Sequence, residues 1–420
     1  MHRFIALLGL VTFLAIAWFF STDRSRIKWR TVFVGLSLQF GLGLLVLYWE
    51  AGNAWLQGVS RGVSDFLGLS IEGSRMVFGV LTDQGEIGRV FGPQNGFLFA
   101  FMVLPTIIFF SAFMAVLYHL GVMQWIVKWI ARFMVRFMGT SGSESLSVAA
   151  NIFVGQTEAP FLIKPFLKRM TESELMAVMT GGFATIAGGV FALYVLFGVP
   201  AEHLMVASVM SAPAALVVAK VFVPETRESE TYGKVVFHDE KPSSNLVEAA
   251  TNGTTDGLTL ALNVGAMLIA FLSLVAVVDW ILTFFDPSLP WGHHLFEPRL
   301  TLQRILGWLF SPFAFLLGVD YADVPAVGQL LGTKIAVNEL IAYSALTSEP
   351  IRGGISERSA TIATYALCGF ANLGSIGIQI GGISAICPER RKDLARLGFR
   401  AMMAGAFASW MTAAVAGILI

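Results

Sequence analysis

Two acidic residues stand where the surrounding hydropathy gives charge no easy place. Glu158, in GQTEAPF at 155–161, and Glu339, in VNELIAY at 337–343, each interrupt a stretch apolar enough to enter a membrane. Inserting such a side chain costs roughly 2.5–3.5 kcal/mol on translocon scales, so each needs a partner or a task. One reading is structural, with both acids satisfying the amides of broken helices. The other follows from their company: Gln156, Thr157, Asn338, Asn372 and Ser375 are neutral donors and acceptors. Such a set suits a small, polyhydroxylated, neutral solute, because hydroxyls donate to carboxylates and a flat amide-bearing ring pairs with Gln and Thr. No Arg or Lys cluster accompanies them, which argues against a phosphorylated substrate. Lys334 is the exception, and its long stem reads as structural, either snorkelling or pairing with a carboxylate.

A cation site is also readable. Broken helices expose carbonyls, and hard ions such as sodium prefer oxygen ligands; Asn151, Thr185 and the unwound backbone near Val154 and Ile186 can supply them. A proton taken up by one of the glutamates is the competing coupling chemistry.

These residues need a membrane scaffold around them. Of 420 residues, 55% are hydrophobic and 13% charged, against about 25% charged in an ordinary soluble domain. The 28 basic and 28 acidic residues cancel and the basic ones form no single block, so a nucleic-acid partner is excluded. Cys368 and Cys387 have neither disulfide nor zinc spacing. No HExxH, GxSxG or Walker motif supports an enzyme, and His293 and His294 read as a solvated pair in an external loop.

Apolar runs of about 20 residues mark eight spans, near 4–20, 31–49, 96–120, 173–197, 203–222, 261–285, 358–380 and 394–418. Basic clusters at 24–30, 128–136, 164–169 and 390–396 fall on one side of this threading, and the positive-inside rule then puts both termini outside. Residues 50–95 read as an external interfacial segment. In 122–138, Lys128, Arg132 and Arg136 share one helical face opposite Trp and Phe, which marks a cytoplasmic amphipathic helix on the membrane surface. The polar stretch 224–257 reads as a cytoplasmic connector and the start of the next span. Residues 142–168 and 325–352 are apolar but interrupted, and orientation makes them re-entrant hairpins of opposite sense.

The chain also repeats itself. A hairpin with Glu158 precedes GGFATIAGG at 181–189, and a hairpin with Glu339 precedes CGFANLGSIG at 368–377. One copy runs inside to outside and the other outside to inside, so the repeat is inverted, an arrangement that points to a substrate site near the midplane. The expected architecture is an all-α polytopic membrane protein with eight transmembrane helices, two oppositely oriented re-entrant hairpins and interfacial helices.

The strings GQTEAP at 155–160, FATIAGGV at 183–190, LNVGAMLIAF at 262–271, GTKIAVNELIAY at 332–343 and CGFANLGSIGIQIGG at 368–382 resemble the concentrative nucleoside transporters, over most of the chain from about residue 95. The short amino-terminal region looks like the bacterial members. The resemblance implies symport of nucleosides with a cation, sodium favoured over the proton, by elevator-type alternating access in a homotrimer of the bacterial inner membrane. By motif position it implies Gln156, Thr157 and Glu158 at the base, Val190 and Phe370 as its apolar walls, and Glu339, Asn372 and Ser375 at the ribose. It implies sodium held by Asn151, Thr185 and the carbonyls of Val154 and Ile186, with no further cofactor. The corresponding division is a scaffold over 1–121, the amphipathic helix over 122–140, transport repeat one over 141–222, the connector over 223–257, scaffold span six over 258–322 and transport repeat two over 323–420. A carrier for another neutral polar solute, such as a nucleobase or sugar, remains the alternative.

Overall fold

The computed structural model describes residues 1–48, 50–92, 96–235, 243–284, 300–348 and 351–420. His293, His294 and the middle of the connector, 236–242, lie outside them. The described residues are helical throughout apart from turns and one isolated bridge, Ser141 to Tyr232.

In chain order the helices are α1 (His2–Phe19), α2 (Trp29–Gly43), α3 (Glu50–Gly68), α4 (Ser70–Phe78), α5 (Gln84–Phe91), α6 (Phe99–Met102), α7 (Leu104–His119) and α8 (Val122–Met138). They continue with α9 (Gly142–Ala150), α10 (Lys164–Leu167), α11 (Glu172–Ala184), α12 (Gly188–Leu196), α13 (Ala201–Phe222) and α14 (Leu246–Thr283). The last group is α15 (Leu302–Leu316), α16 (Val324–Ala336), α17 (Glu339–Thr347), α18 (Ile351–Gly354), α19 (Glu357–Leu367), α20 (Leu373–Ile386) and α21 (Arg391–Leu419).

Among the described residues seven stretches are long and apolar enough to cross a membrane: His2–Phe19, Trp29–Leu47, Phe99–His119, Glu172–Leu196, Ala201–Phe222, Leu246–Thr283 and Pro388–Leu419. The remaining expected span, near 358–380, is divided into α19 and α20 by residues 368–372. Both expected hairpins are helix–break–helix: α9, an irregular tip and α10 in the first, α16, a two-residue break and α17 in the second. Each is followed by an interrupted helix, α11/α12 or α19/α20, and then by a long unbroken one, α13 or α21. The two long helices pack on each other, and α11 and α19 both rest against the pair.

An aromatic cluster anchors this centre. Trp410 of α21 is fully buried, with ring centroids 5.7 Å from Phe13, 5.0 Å from Phe313 and 5.6 Å from Phe407, so α1 and α15 are fastened to α21. The chain ends meet at the same face, where Arg3 donates to the Ile420 carbonyl at 3.2 Å. Helix α2 packs along α13, and Gln39 reaches Thr412 of α21 at 3.0 Å. The expected scaffold groups the first two spans with the third and sixth; within the protomer α1 and α2 pack on α13 and α21, and α7 and α14 pair with each other.

The α7–α14 contact sets where the sixth span begins. Residues 246–257, expected to end the connector and start that span, form the opening turns of α14. Asn245 caps it by accepting from the Glu248 amide, and Thr251, Thr254, Thr255 and Thr259 each donate to the carbonyl four residues earlier, so these polar side chains are satisfied on the helix itself. Gly253 and Gly257 press against α7, where added Cβ atoms would sit 2.6 Å from Ala115 Cβ and 2.8 Å from Ile108 Cα. Small residues one turn apart permit this approach of two backbones.

Helix α8 is amphipathic as expected, but its stripes differ: Met123, Val127, Ala131, Met134 and Met138 face the protein, while Trp125, Trp129, Phe133 and Phe137 are exposed beside the basic residues rather than opposite them, because the flexible methionines and small side chains fill the protein-facing side. Polar bonds tie the nearby helix ends together. The buried Lys220 ammonium at the end of α13 meets Glu144 at 2.6 Å and Glu225 at 3.5 Å, and donates to Ser173 at 2.9 Å. Ser141 and Thr171 close capping boxes with Glu144 and Glu174 at the starts of α9 and α11.

Candidate functional site

Glu339 is the first residue of α17, directly after the break in hairpin two, and is buried. Asn338 holds the break by accepting from the Ile341 amide at 2.9 Å. The Glu339 carboxylate accepts from the Tyr194 hydroxyl at 3.2 Å and from Asn372 Nδ2 at 2.9 Å. Tyr194 belongs to α12, in the first repeat, so the acid is clasped by both. Asn372 is committed at its other end, accepting from the Ser375 amide at 2.8 Å to cap α20. Donors fixed in this way hold a carboxylate in one orientation before any ligand arrives. The Tyr194 ring lies 4.3 Å, centroid to centroid, from Tyr343, whose hydroxyl is taken by the Thr364 carbonyl at 2.7 Å.

The first hairpin contributes from the other side. Gln156 is buried, and its Oε1 has no protein partner among the described residues. It lies against α11, where a Cβ on Gly182 would meet Gln156 Cβ at 2.8 Å. The same hypothetical Cβ would strike the amide of Gln379, which crosses from α20 to donate to the Met179 carbonyl at 3.0 Å. Thr157 packs onto Gly382 of α20, 3.1 Å from where its Cβ would be, and donates to Glu158 at 2.9 Å. Glu158 itself is exposed. The acids named together in the sequence are therefore unlike: one sheltered and braced, the other open with a single side-chain bond.

The interrupted helices set the remaining positions. Gly369 has φ of +116°, and a Cβ there would lie 2.6 Å from the Phe183 carbonyl; glycine lets the second break cross the first repeat at that point. Phe370 and Asn372 follow in the same break. Val190 is buried on α12, one turn before Tyr194 and on its side of the helix. The structure thus joins Gln156, Thr157, Glu339, Asn372 and Ser375 through α20, with Val190 and Phe370 on the same two interrupted helices.

Two hairpin-to-helix junctions flank this region. At the first, α9 and α11 end at Ala150 and Ala184. Asn151 is buried and donates to the Ser147 carbonyl at 3.0 Å, which leaves Oδ1 without a donor. Thr185 is buried and donates to the Gly181 carbonyl at 2.9 Å. Val154 and Ile186 lie in the unwound segments beside them. An orphaned buried amide oxygen beside two helix C-termini is a setting that favours a cation. Among the described residues no three His, Cys, Asp or Glu side chains gather as a metal site, so the oxygens offered are those of amide, hydroxyl and backbone, the set that a hard ion takes. At the second junction Lys334, fully buried on α16, donates to the carbonyls of Ala366 and Cys368 at 2.9 and 3.3 Å. Tyr194, Gln379 and this use of Lys334 escaped the sequence reading; the spacing of Lys334 five residues before Glu339 was the one available signal.

A helical bundle threaded through a membrane, with interrupted helices meeting at a braced carboxylate and orphaned amide oxygens, has the build of a solute carrier rather than an enzyme. The chain belongs to the sodium-dependent nucleoside transporter family. Residues 8–81 match the family described as "Na+ dependent nucleoside transporter N-terminus", residues 203–417 the corresponding C-terminus, and residues 100–201 a "Nucleoside recognition" gate. Sodium is the coupling ion of that family. The chain is 44% identical to the uncharacterized transporter YutK of Bacillus subtilis (strain 168), over 99% of this chain and 98% of that one. It is 43% identical to solute carrier family 28 member 3 of Mus musculus, covering 98% of this chain but 58% of that relative's length. Among solved structures, CNTnw in an inward-facing substrate-bound state matches with a TM-score of 0.91 at 43% identity, over 100% of this chain and 98% of the other. A variant of CNTnw in an outward-facing state matches equally well, at a TM-score of 0.91.

Proposed function

We propose that the chain imports nucleosides by symport with sodium, through elevator-type alternating access, as a homotrimer in a bacterial inner membrane with both termini periplasmic. The observation that carries the substrate reading is the clasp on Glu339 by Tyr194 and Asn372. A carboxylate fixed by two donors keeps lone pairs for ribose hydroxyls, while Gln156 offers an unpaired amide oxygen to a base. In this reading Gln156, Thr157 and Glu158 meet the base between Val190 and Phe370, and Glu339, Asn372 and Ser375 hold the ribose. Sodium sits among Asn151, Thr185 and the Val154 and Ile186 carbonyls, and draws hairpin one onto α11. Each ligand then raises the other's affinity by the same factor, because linkage is reciprocal.

The moving body comprises both hairpins and both interrupted helices with α13 and α21, and α1 and α2 travel with it because they pack there. Helices α7 and α14 form the stationary part. Few of their residues are buried within the protomer, which leaves an apolar surface for lipid and for two further copies of the chain. Solved states of CNTnw facing inward and outward are in keeping with such a cycle.

The test is uptake of radiolabelled uridine into liposomes under an inward sodium gradient, an inward proton gradient, or neither. Accumulation with sodium alone is the expected result. A proton-only response would move the coupling onto a glutamate, and failure of both uridine and adenosine under either gradient would move the reading to a nucleobase or sugar carrier.

A further inference from the structure

The two repeats share a short string leading into their hairpin tips, although the tips themselves differ by two residues, which puts Glu158 and Glu339 out of register. Asn151-Ile152-Phe153-Val154 of the first corresponds to Lys334-Ile335-Ala336-Val337 of the second, just as Gly182-Phe183-Ala184 corresponds to Gly369-Phe370-Ala371. Asn151 and Lys334 are therefore counterparts, each at the end of the first hairpin helix and each beside the break in the following helix. From the glycine alignment, the carbonyls of Ala366 and Cys368 correspond to those of Met179 and Gly181.

In repeat one those two carbonyls are taken by neutral donors, Gln379 Nε2 at 3.0 Å and Thr185 Oγ1 at 2.9 Å. In repeat two both accept from one ammonium, Lys334 Nζ. Lys334 is fully buried, and among the described residues no carboxylate lies within 4.0 Å of it to form an ion pair. Its charge is held by the C-terminal end of α19, whose last carbonyls carry the negative end of the helix dipole, and it sits in the last turn of α16. Two helix C-termini converging in a low-dielectric interior favour a cation between them. Repeat two carries one on its own chain. Repeat one has Asn151 Oδ1 unpaired and no charge at the corresponding residue.

We infer that Lys334 is a tethered substitute for the coupling ion: its ammonium closes the junction between hairpin two and α19 permanently, as a free cation closes the equivalent junction of repeat one reversibly. Lys334 is a positioning residue, acting on Glu339 through the hairpin tip five residues on. The consequence is that hairpin two is assembled in any salt, so the Glu339 half of the site is ready before the ion binds. Only the first repeat can report ion occupancy. This inference takes its readout from the sodium-coupled nucleoside reading and goes beyond it in assigning the second junction.

The test compares the full-length native chain in liposomes with Lys334→Arg, Lys334→Met and Lys334→Asn, measuring uridine binding and sodium activation of uptake. Lys334→Arg should keep binding, and Lys334→Met should weaken it roughly 30-fold at every sodium concentration. Lys334→Asn copies the residue of repeat one; part of its binding should return at high sodium, with the Hill coefficient for sodium rising from about 1 toward about 2 as a second ion enters. Hydrogen exchange on the native chain covers the case in which variants fail to fold. Residues 337–341 and 368–373 should be equally protected in sodium and in choline, whereas 152–158 and 185–188 gain protection in sodium. Native-like binding by Lys334→Met, or sodium-dependent protection of hairpin two equal to that of hairpin one, overturns the inference. Native uptake that ignores sodium would instead retract the coupling reading, and the Met and Arg variants would still decide the role of Lys334.

Discussion

Replacing Glu339 by Gln tests the proposed ribose site with little disturbance of the fold. The side chains are nearly isosteric, and both protein contacts can survive. The amide oxygen continues to accept from Asn372 Nδ2, now at 2.9 Å, and the amide nitrogen can donate to the Tyr194 hydroxyl, now 3.2 Å away, once that hydroxyl turns. What is lost is charge. Hydrogen bonds to a charged partner are worth about 1.5–3 kcal/mol and neutral ones about 1. Two sugar hydroxyls that exchange one kind for the other forfeit together about 2 kcal/mol, or roughly 30-fold in affinity. Isothermal titration of uridine into the purified protein at saturating sodium should show that loss, while the thermal midpoint moves by no more than a few degrees. Glu339→Ala should instead lower both, because Tyr194 and Asn372 are left unpaired around a cavity. Uridine binding by Glu339→Gln within threefold of the native value would refute a ribose contact at this acid.

Two further outcomes follow from the described contacts. Thr185→Val keeps the shape of the break but removes the hydroxyl oxygen; the sodium concentration for half-maximal uridine uptake should rise by roughly tenfold, corresponding to ~1.4 kcal/mol, with little change when sodium saturates. Lys220→Met strands Glu144, which is only 1% exposed, and breaking one side of such a buried pair costs about 3–5 kcal/mol. A thermal-shift assay should show a clear fall, and Lys220→Met combined with Glu144→Gln should recover most of it.

The features most legible in the sequence were those that are costly to place in a membrane. Interrupted apolar stretches located both hairpins, and an ionisable residue in each marked Glu158 and Glu339. The four-residue spacing of Lys128, Arg132 and Arg136 placed α8. Less legible was anything decided by contact between distant segments. Tyr194 lies in an apolar helix, FALYVLF, where an aromatic residue has every reason to be core; only the approach of α12 to α17 turns it toward Glu339. Gln379 is similar, since its target is the carbonyl of Met179, 200 residues away. The opening turns of α14 look like a loop by composition because Thr, Asn and Gly disfavour an isolated helix, yet packing against α7 overrides that preference. The exposure of Glu158 against the burial of Glu339 was equally out of reach, as the two acids sit in comparable local strings.

The contact between Arg3 and Ile420 has a topological consequence. A chain whose first and last residues touch at one face must cross the membrane an even number of times, and a hairpin that enters and leaves by the same face adds nothing to the tally. The seven long stretches alone would leave the ends on opposite sides. The divided pair α19 and α20 must therefore count as one complete crossing despite its break, giving eight. For the same reason, tags fused to the two ends of this chain will report from one side of the membrane, and protease added to sealed vesicles will remove both or neither.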